Sequence, residues 1–288
     1  MAKATKPAKE TERQENLQET VSKTEQFFTQ NGKILGGILI GAVVVGLAIL
    51  GWQRFIYQPK CEEAAALVAE AENTYMNAEQ SFAAGDLQAA AASFETALNG
   101  VVDTLSSSVL VSGFAQIIDD YGKKGGEAVY MYAGVCAYKI GLVKNLSDES
   151  AGKEDFETAL GYFSKYSTND PVFKARAIAC QGDCQSALGE YAKAASLYEK
   201  AAGVQQNVFA AEYLLKAGQA HEALGEKAAA LECYQTVKDD YLPEAQQAYQ
   251  QMMGGATTWE QYQQMMGAAA ASYGEILTID KYINRVQE

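Results

Sequence analysis

The sequence predicts an all-α chain: one N-terminal transmembrane helix, then an α-solenoid of about four helical hairpins, then a capping helix. Three observations carry this. Only four prolines occur in 288 residues and alanine is abundant, which suits helices and not sheets. A 19-residue run without charge, Ile34 to Trp52, is apolar on every face. A glycine, an alanine five residues later and an aromatic four beyond that recur in one fixed frame.

Residues 1–33 form a charged tail. The first 12 have too few apolar groups to fold. Residues 14–30 place Leu17, Val21, Thr24 and Phe28 on one face of a short helix. The transmembrane helix is expected over 34–57. At about 1.5 Å per residue its apolar run spans roughly 28 Å, close to a bilayer's hydrocarbon thickness. Six basic residues precede the run, and only Arg54 and Lys60 come soon after it. That asymmetry keeps the tail in the cytoplasm and exports the remainder of the chain. Trp52, Phe55 and Tyr57 would mark the outer interface. The run is longer than a signal peptide's apolar core, begins late and lacks a small-residue cleavage site beyond it, so it reads as an uncleaved anchor. Gly37 and Gly41, and Ala42 and Gly46, are four apart, a spacing that lets a second membrane helix approach.

Hairpins are expected at about 61–98, 127–166, 172–202 and 208–241, within a repeat region of 58–243. The first helix should bend at Pro59. Gly85 leads to Ala90 and Phe94, Gly189 to Ala194 and Tyr198, and Gly225 to Ala230 and Tyr234. Ala159 and Phe163 keep the spacing without the leading glycine. The glycine permits a left-handed turn between two helices. The alanine is small because the helices cross there, and the aromatic fills the space against the next hairpin. A small residue stands seven before each turn glycine: Gly134 before Gly141, Gly182 before Gly189, Gly218 before Gly225.

Between the first two hairpins, residues 99–125 form a looser connection containing a short helix at 113–121 and a turn at Gly122–Gly126. The second hairpin's turn is expanded by about 13 residues, Leu142 to Glu154. Residues 244–274 are rich in Gln, Met and Ala and contain Tyr-Gln-Gln-Met-Met-Gly twice. In 275–288, Ile276, Ile279, Tyr282, Ile283 and Val286 make an amphipathic helix suited to covering the end of the array.

Residues 61–288 carry 31 acidic and 15 basic residues, a net −16. Such a surface repels nucleic acid and anionic lipid, which leaves proteins as the expected partners. No catalytic, cofactor-binding or metal-binding constellation is expected, and no small-molecule substrate. The five cysteines have no framework spacing, and the four at positions where a helix buries a small apolar residue read as core thiols. His221, the one histidine, is distant in sequence from the cysteines and reads as structural. Asp119-Asp120 and Asp239-Asp240 read as solvated pairs. The binding surface expected from the helical frame is a concave face of Met131, Val135, Tyr138, Arg176, Ala179, Asp183, Glu212, Leu215, Gln219 and Glu222.

The Gly-Ala-aromatic frame, with its last two units 36 residues apart, resembles the tetratricopeptide repeat, whose unit is about 34 residues. The resemblance covers about residues 64–243. Three local strings, Gly113 to Tyr121, Ala133 to Gly141 and Ile279 to Ile283, look like YfgM-type envelope proteins. That resemblance implies a bacterial inner-membrane anchor with a cytoplasmic N-terminus and a periplasmic repeat domain. It also implies a supporting role beside the Sec translocon and periplasmic chaperones. A scaffold for cell division, envelope assembly or a dedicated secretion machine, and a stand-alone holdase, are the competing readings. The set of Lys, Asn and Arg with which some repeat proteins hold a peptide's C-terminal carboxylate is not visible.

Overall fold

The computed structural model describes residues 31, 33, 37–38, 40–102, 109–204, 208–255 and 258–288. The expected tail helix at 14–30 lies outside the described residues, as do Ile34 to Gly36. The chain divides into two compact units, Met1–Glu62 and Glu63–Glu288.

In the first unit, residues 40–52 are helical and Gln53–Tyr57 form a π-helical stretch. Pro59 comes next, within helix α1 (Gln58–Ala83). A proline ring crowds the carbonyl four residues back, here Phe55, and the wider π turn lies at that carbonyl. Apolar side chains face outward all round: Ile38, Leu47 and Phe55 are 63, 63 and 80% exposed. Among the described residues, one helix, Ile40–Ala83, is long and apolar enough to cross a membrane.

The second unit is built almost wholly of helices. After α1 come α2 (Leu87–Asn99), α3 (Phe114–Tyr121), α4 (Ala128–Asn145), α5 (Lys153–Lys165), α6 (Pro171–Ala187), α7 (Tyr191–Val204), α8 (Val208–Ala223), α9 (Lys227–Thr236), α10 (Leu242–Gly254), α11 (Trp259–Leu277) and α12 (Ile279–Gln287). From α4 to α9 each helix packs against its neighbours in the chain. The exception to helix is a ribbon between α2 and α3, where β1 (Val101–Val102) pairs antiparallel with β2 (Val109–Val111). Its β-branched valines favour extended backbone, a local preference that the all-helical expectation missed.

Three tight turns share one construction. Gly85, Gly189 and Gly225 have φ of +82, +76 and +75°, where a side chain would be strained. The residue after each glycine returns its N–H five residues back, Asp86 to Ser81, Glu190 to Gln185 and Glu226 to His221, at 2.8–3.0 Å. This closes the preceding helix with its carbonyls satisfied. Asp86 and Asp170 then start α2 and α6 by accepting backbone N–H bonds, with Pro171 pre-set for the first turn of α6.

The aromatics do not reach toward the next hairpin as expected; each enters its own. A Cβ built on Gly134 would lie 2.5 Å from the Phe163 ring, one on Gly182 2.7 Å from Tyr198, and one on Gly218 2.3 Å from Tyr234. Each glycine is a notch that receives the partner helix's ring. Gly141 is not a turn glycine either. It lies inside α4 and makes a second notch, for Phe156, at 2.7 Å. Part of the 13-residue expansion, residues 142–145 and 153–154, lies in α4 and α5, and the connection itself is residues 146–152. Asn145 Oδ1 accepts the Gly152 N–H at 2.7 Å, and Lys144 pairs with Asp155 at 2.9 Å, which closes this longer turn.

Three buried clusters result. The first joins α1 to α5 around Phe94, Phe114 and Phe163, with the Phe114 and Tyr132 rings stacked 5.3 Å apart. The second lies among α6, α7, α8 and Cys233 of α9. The third joins α8, α9 and α12. Helix α8 therefore faces two clusters: Tyr213, Ala217 and Ala220 enter the second, and Ala211 and Leu215 the third. Ile276 and the buried side of α12 (Ile279, Tyr282, Ile283 and Val286) pack over Tyr234 and Val237. Arg285 to Glu222 at 2.8 Å and Lys238 to Asp280 at 2.7 Å border that contact. The Gln/Met-rich segment forms the pair α10 and α11, with one copy of the duplicated string on each.

The notch predicts opposite signs for one substitution. Gly218→Ala should destabilise by about 1–3 kcal/mol, because overpacking outweighs the helix propensity gained. Gly161→Ala, in α5 with open space around it, should stabilise by about 0.5–1 kcal/mol. Chemical unfolding of the two variants, monitored by circular dichroism, reads both.

Candidate functional site

A groove of about 780 Å³ opens among α1, α4, α6, α7 and α8. Tyrosines line much of it: Tyr75, Tyr138, Tyr191 and Tyr198. Its charged groups are Glu79, Lys139, Arg176, Asp183 and Lys216. The notch at Gly182 positions the centre. With the Tyr198 ring seated there, its hydroxyl donates to Asp183 Oδ1 at 2.8 Å. Lys216, from α8, reaches the same carboxylate at 3.0 Å and Glu212 at 3.6 Å. Asp183 and Lys216 side chains are 21 and 32% exposed, so the pair is largely desolvated.

Burial disfavours the charge on Lys216, but Asp183, with Glu212 and Cys180 beside it, outweighs this and holds the pKa above the ordinary ammonium value. Burial, then Asp183, pushes the Tyr138 hydroxyl well above its usual range, and the same two causes act on Tyr198. Burial, then Asp183, pushes the Cys180 thiol up to about 12. These groups are therefore protonated at neutral pH. They supply hydrogen bonds and aromatic faces, not nucleophiles. Near the groove's edge, Lys139 Nζ lies 3.8 Å from the Phe82 ring centroid, and Tyr75 donates to Glu79 at 3.1 Å.

Of the residues expected on the concave face, Val135, Tyr138, Arg176, Asp183 and Gln219 line this groove. Ala179 and Leu215 do not; they are 3 and 4% exposed, in the second and third clusters. Glu222 is also elsewhere, accepting from Tyr234 Oη at 2.6 Å and from Arg285. Met131 packs on the first cluster, and Glu212 is a flank partner of Lys216. On α6 the groove takes 176, 180, 183, 186 and 187, and on α8 it takes 216, 219 and 220. The expected stripes thus share 176, 183 and 219 with it, while 179 and 215 turn into the helix contacts of the second and third clusters. Tyr75, Glu79, Lys139 and Lys216 were missed because α1 and the partners across the groove are distant in sequence. Lys139, Arg176 and Lys216 bring three cations to one groove, with Lys216 already held by Asp183.

A second polar cluster lies apart from the groove's centre. His221, its side chain 13% exposed, has Nε2 3.0 Å from Glu199 and Nδ1 2.7 Å from Glu226. The ligand atoms of Glu199, His221 and Cys233 all lie within 4.8 Å of one another. Cys233 follows His221 by 12 residues, and folding α9 back on α8 brings it to the imidazole. The five cysteines are free thiols, and the two acid pairs are exposed. Gly37, Gly41 and Gly46 meet no side chain of this chain among the described residues.

No protein-family model matches the chain, and no curated protein matches it.

Asp183→Ala should cost about 1.5–3 kcal/mol, since it strands the Lys216 ammonium and the Tyr198 hydroxyl. Adding Lys216→Met should restore part of that loss in the double variant, as unfolding midpoints would show. Lys216 has a folded pKa above its unfolded one, so the pair's contribution is whole at neutral pH. On the alkaline side it is lost as pH rises past about 10.4 and through the folded value of Lys216.

Proposed function

We propose that this chain is a membrane-anchored tetratricopeptide-repeat scaffold that holds an extended protein segment in the Tyr138–Asp183–Lys216 groove. The observation that carries the reading is the groove itself. Four tyrosines and five charged residues of both signs converge on one concavity. Tyrosines give large contact area at little entropic cost, a composition suited to a protein ligand. The paired charges at the centre hydrogen-bond a backbone or a polar side chain without demanding a net charge.

The basic tail and the apolar run support the orientation: N-terminus in the cytoplasm, repeats in the periplasm of a bacterial inner membrane. Beside a translocon, a tethered groove of this kind would meet exported chains or the chaperones that receive them. The negative charge of the repeat region keeps it clear of anionic headgroups.

Two measurements test this. A reporter fused after Glu288 should be active only as a periplasmic fusion; cytoplasmic activity overturns the orientation. A photo-crosslinking residue at Val135 or Gln219 should capture translocon subunits, periplasmic chaperones or exported chains, while one at Gln88 should not. Equal capture at the three positions overturns the groove as the binding surface.

A further inference from the structure

We propose that Glu199, His221 and Cys233 form a zinc-class metal site that clamps the third hairpin to the fourth. The three residues come from α7, α8 and α9, so no single helix accounts for their meeting. A thiolate, an imidazole and a carboxylate are a ligand set that zinc favours over magnesium or calcium. Their ligand atoms already lie within 4.8 Å. Zinc bonds of about 2.0–2.3 Å in tetrahedral array need ligand atoms roughly 3.3–3.8 Å apart. Glu199 Oε1 and His221 Nε2 are already 3.0 Å apart, so the closing movement of about 1 Å is toward the Cys233 thiol, and Glu199, 51% exposed, can follow it.

The fourth residue of the cluster gives the site its order. Glu226 begins α9, yet its carboxylate makes no bond to the helix end and turns to His221 Nδ1 at 2.7 Å. A carboxylate on Nδ1 fixes the proton there and leaves the Nε2 lone pair for a metal. Nε2 is the nitrogen that faces Glu199. The turn at Gly225 positions this support, because the Glu226 N–H is tied to the His221 carbonyl at 2.9 Å. Three protein ligands leave one position for water or a partner's side chain.

The test uses the full-length chain in detergent, stripped with a chelator and titrated with Co²⁺. One equivalent should bind, produce a thiolate-to-cobalt charge-transfer band, raise the thermal midpoint, and be displaced by Zn²⁺. Cys233→Ser should abolish the band, whereas Cys61→Ser should keep it. Glu199→Gln and His221→Gln should each weaken binding at least tenfold, and Glu226→Gln about tenfold through His221. The Glu199 side chain is half-exposed, so the loss in Glu199→Gln holds even if Cys233→Ser fails to fold. Absence of the band at one equivalent, its survival in Cys233→Ser, or unchanged affinity in Glu199→Gln would overturn the site.

Discussion

The ring-in-notch contact between paired helices is the constraint on which the rest of the repeat region depends. Where a glycine removes a side chain, the partner helix presents an aromatic, and the two backbones approach to the depth of the ring. Phe163 at Gly134, Tyr198 at Gly182 and Tyr234 at Gly218 repeat the device, with the rings 1, 3 and 0% exposed. Full burial of such a side chain is worth about 1.5–3 kcal/mol. The notch also sets chemistry. A tyrosine seated in it emerges with its hydroxyl at a fixed place, where it meets Asp183 in one hairpin and Glu222 in the other. The groove's polar centre is thus a by-product of how two helices pack.

Local rules made much of this legible in the sequence. Glycines at 85, 189 and 225 announce left-handed turns, and the alanine-aromatic spacing after them announces the second helix of each pair. Direction was not legible. Gly182 and Tyr198 are evident as small and aromatic, but only the crossing shows that they face each other and not the next hairpin. Gly141 misled because its spacing matches a turn glycine, while the longer α4 makes it an interior residue. The groove was half legible for a similar reason. A helical stripe can be drawn through 176 and 183, but the choice between 179 and 180 depends on which neighbour packs closer. The meeting of His221 with Cys233 is a pure consequence of folding back and has no signal in spacing.

The groove and the His221 cluster differ in their balance of charge. In the groove, three cations face two anions, and the central Lys216 is already held by Asp183. Around His221, carboxylates and a thiol outnumber positive groups, and the cluster is completed by a cation. One fold therefore offers two unlike environments within consecutive hairpins, each built from residues that flank a notch: Asp183 beside Gly182, and His221 three after Gly218.

Helix α8 gives one face to each of two clusters and a third edge to the groove, through Lys216, Gln219 and Ala220. A helix shared in this way has no independent melting behaviour. Loosening α12 at the chain's end exposes Leu215 and so withdraws support from the helix that carries Lys216. A ligand seated in the proposed groove would, conversely, restrain α8 and with it the contact to α9 and the closing helix. Through α8 the C-terminal end and the groove share one support, so fraying at α12 would be felt several helices away.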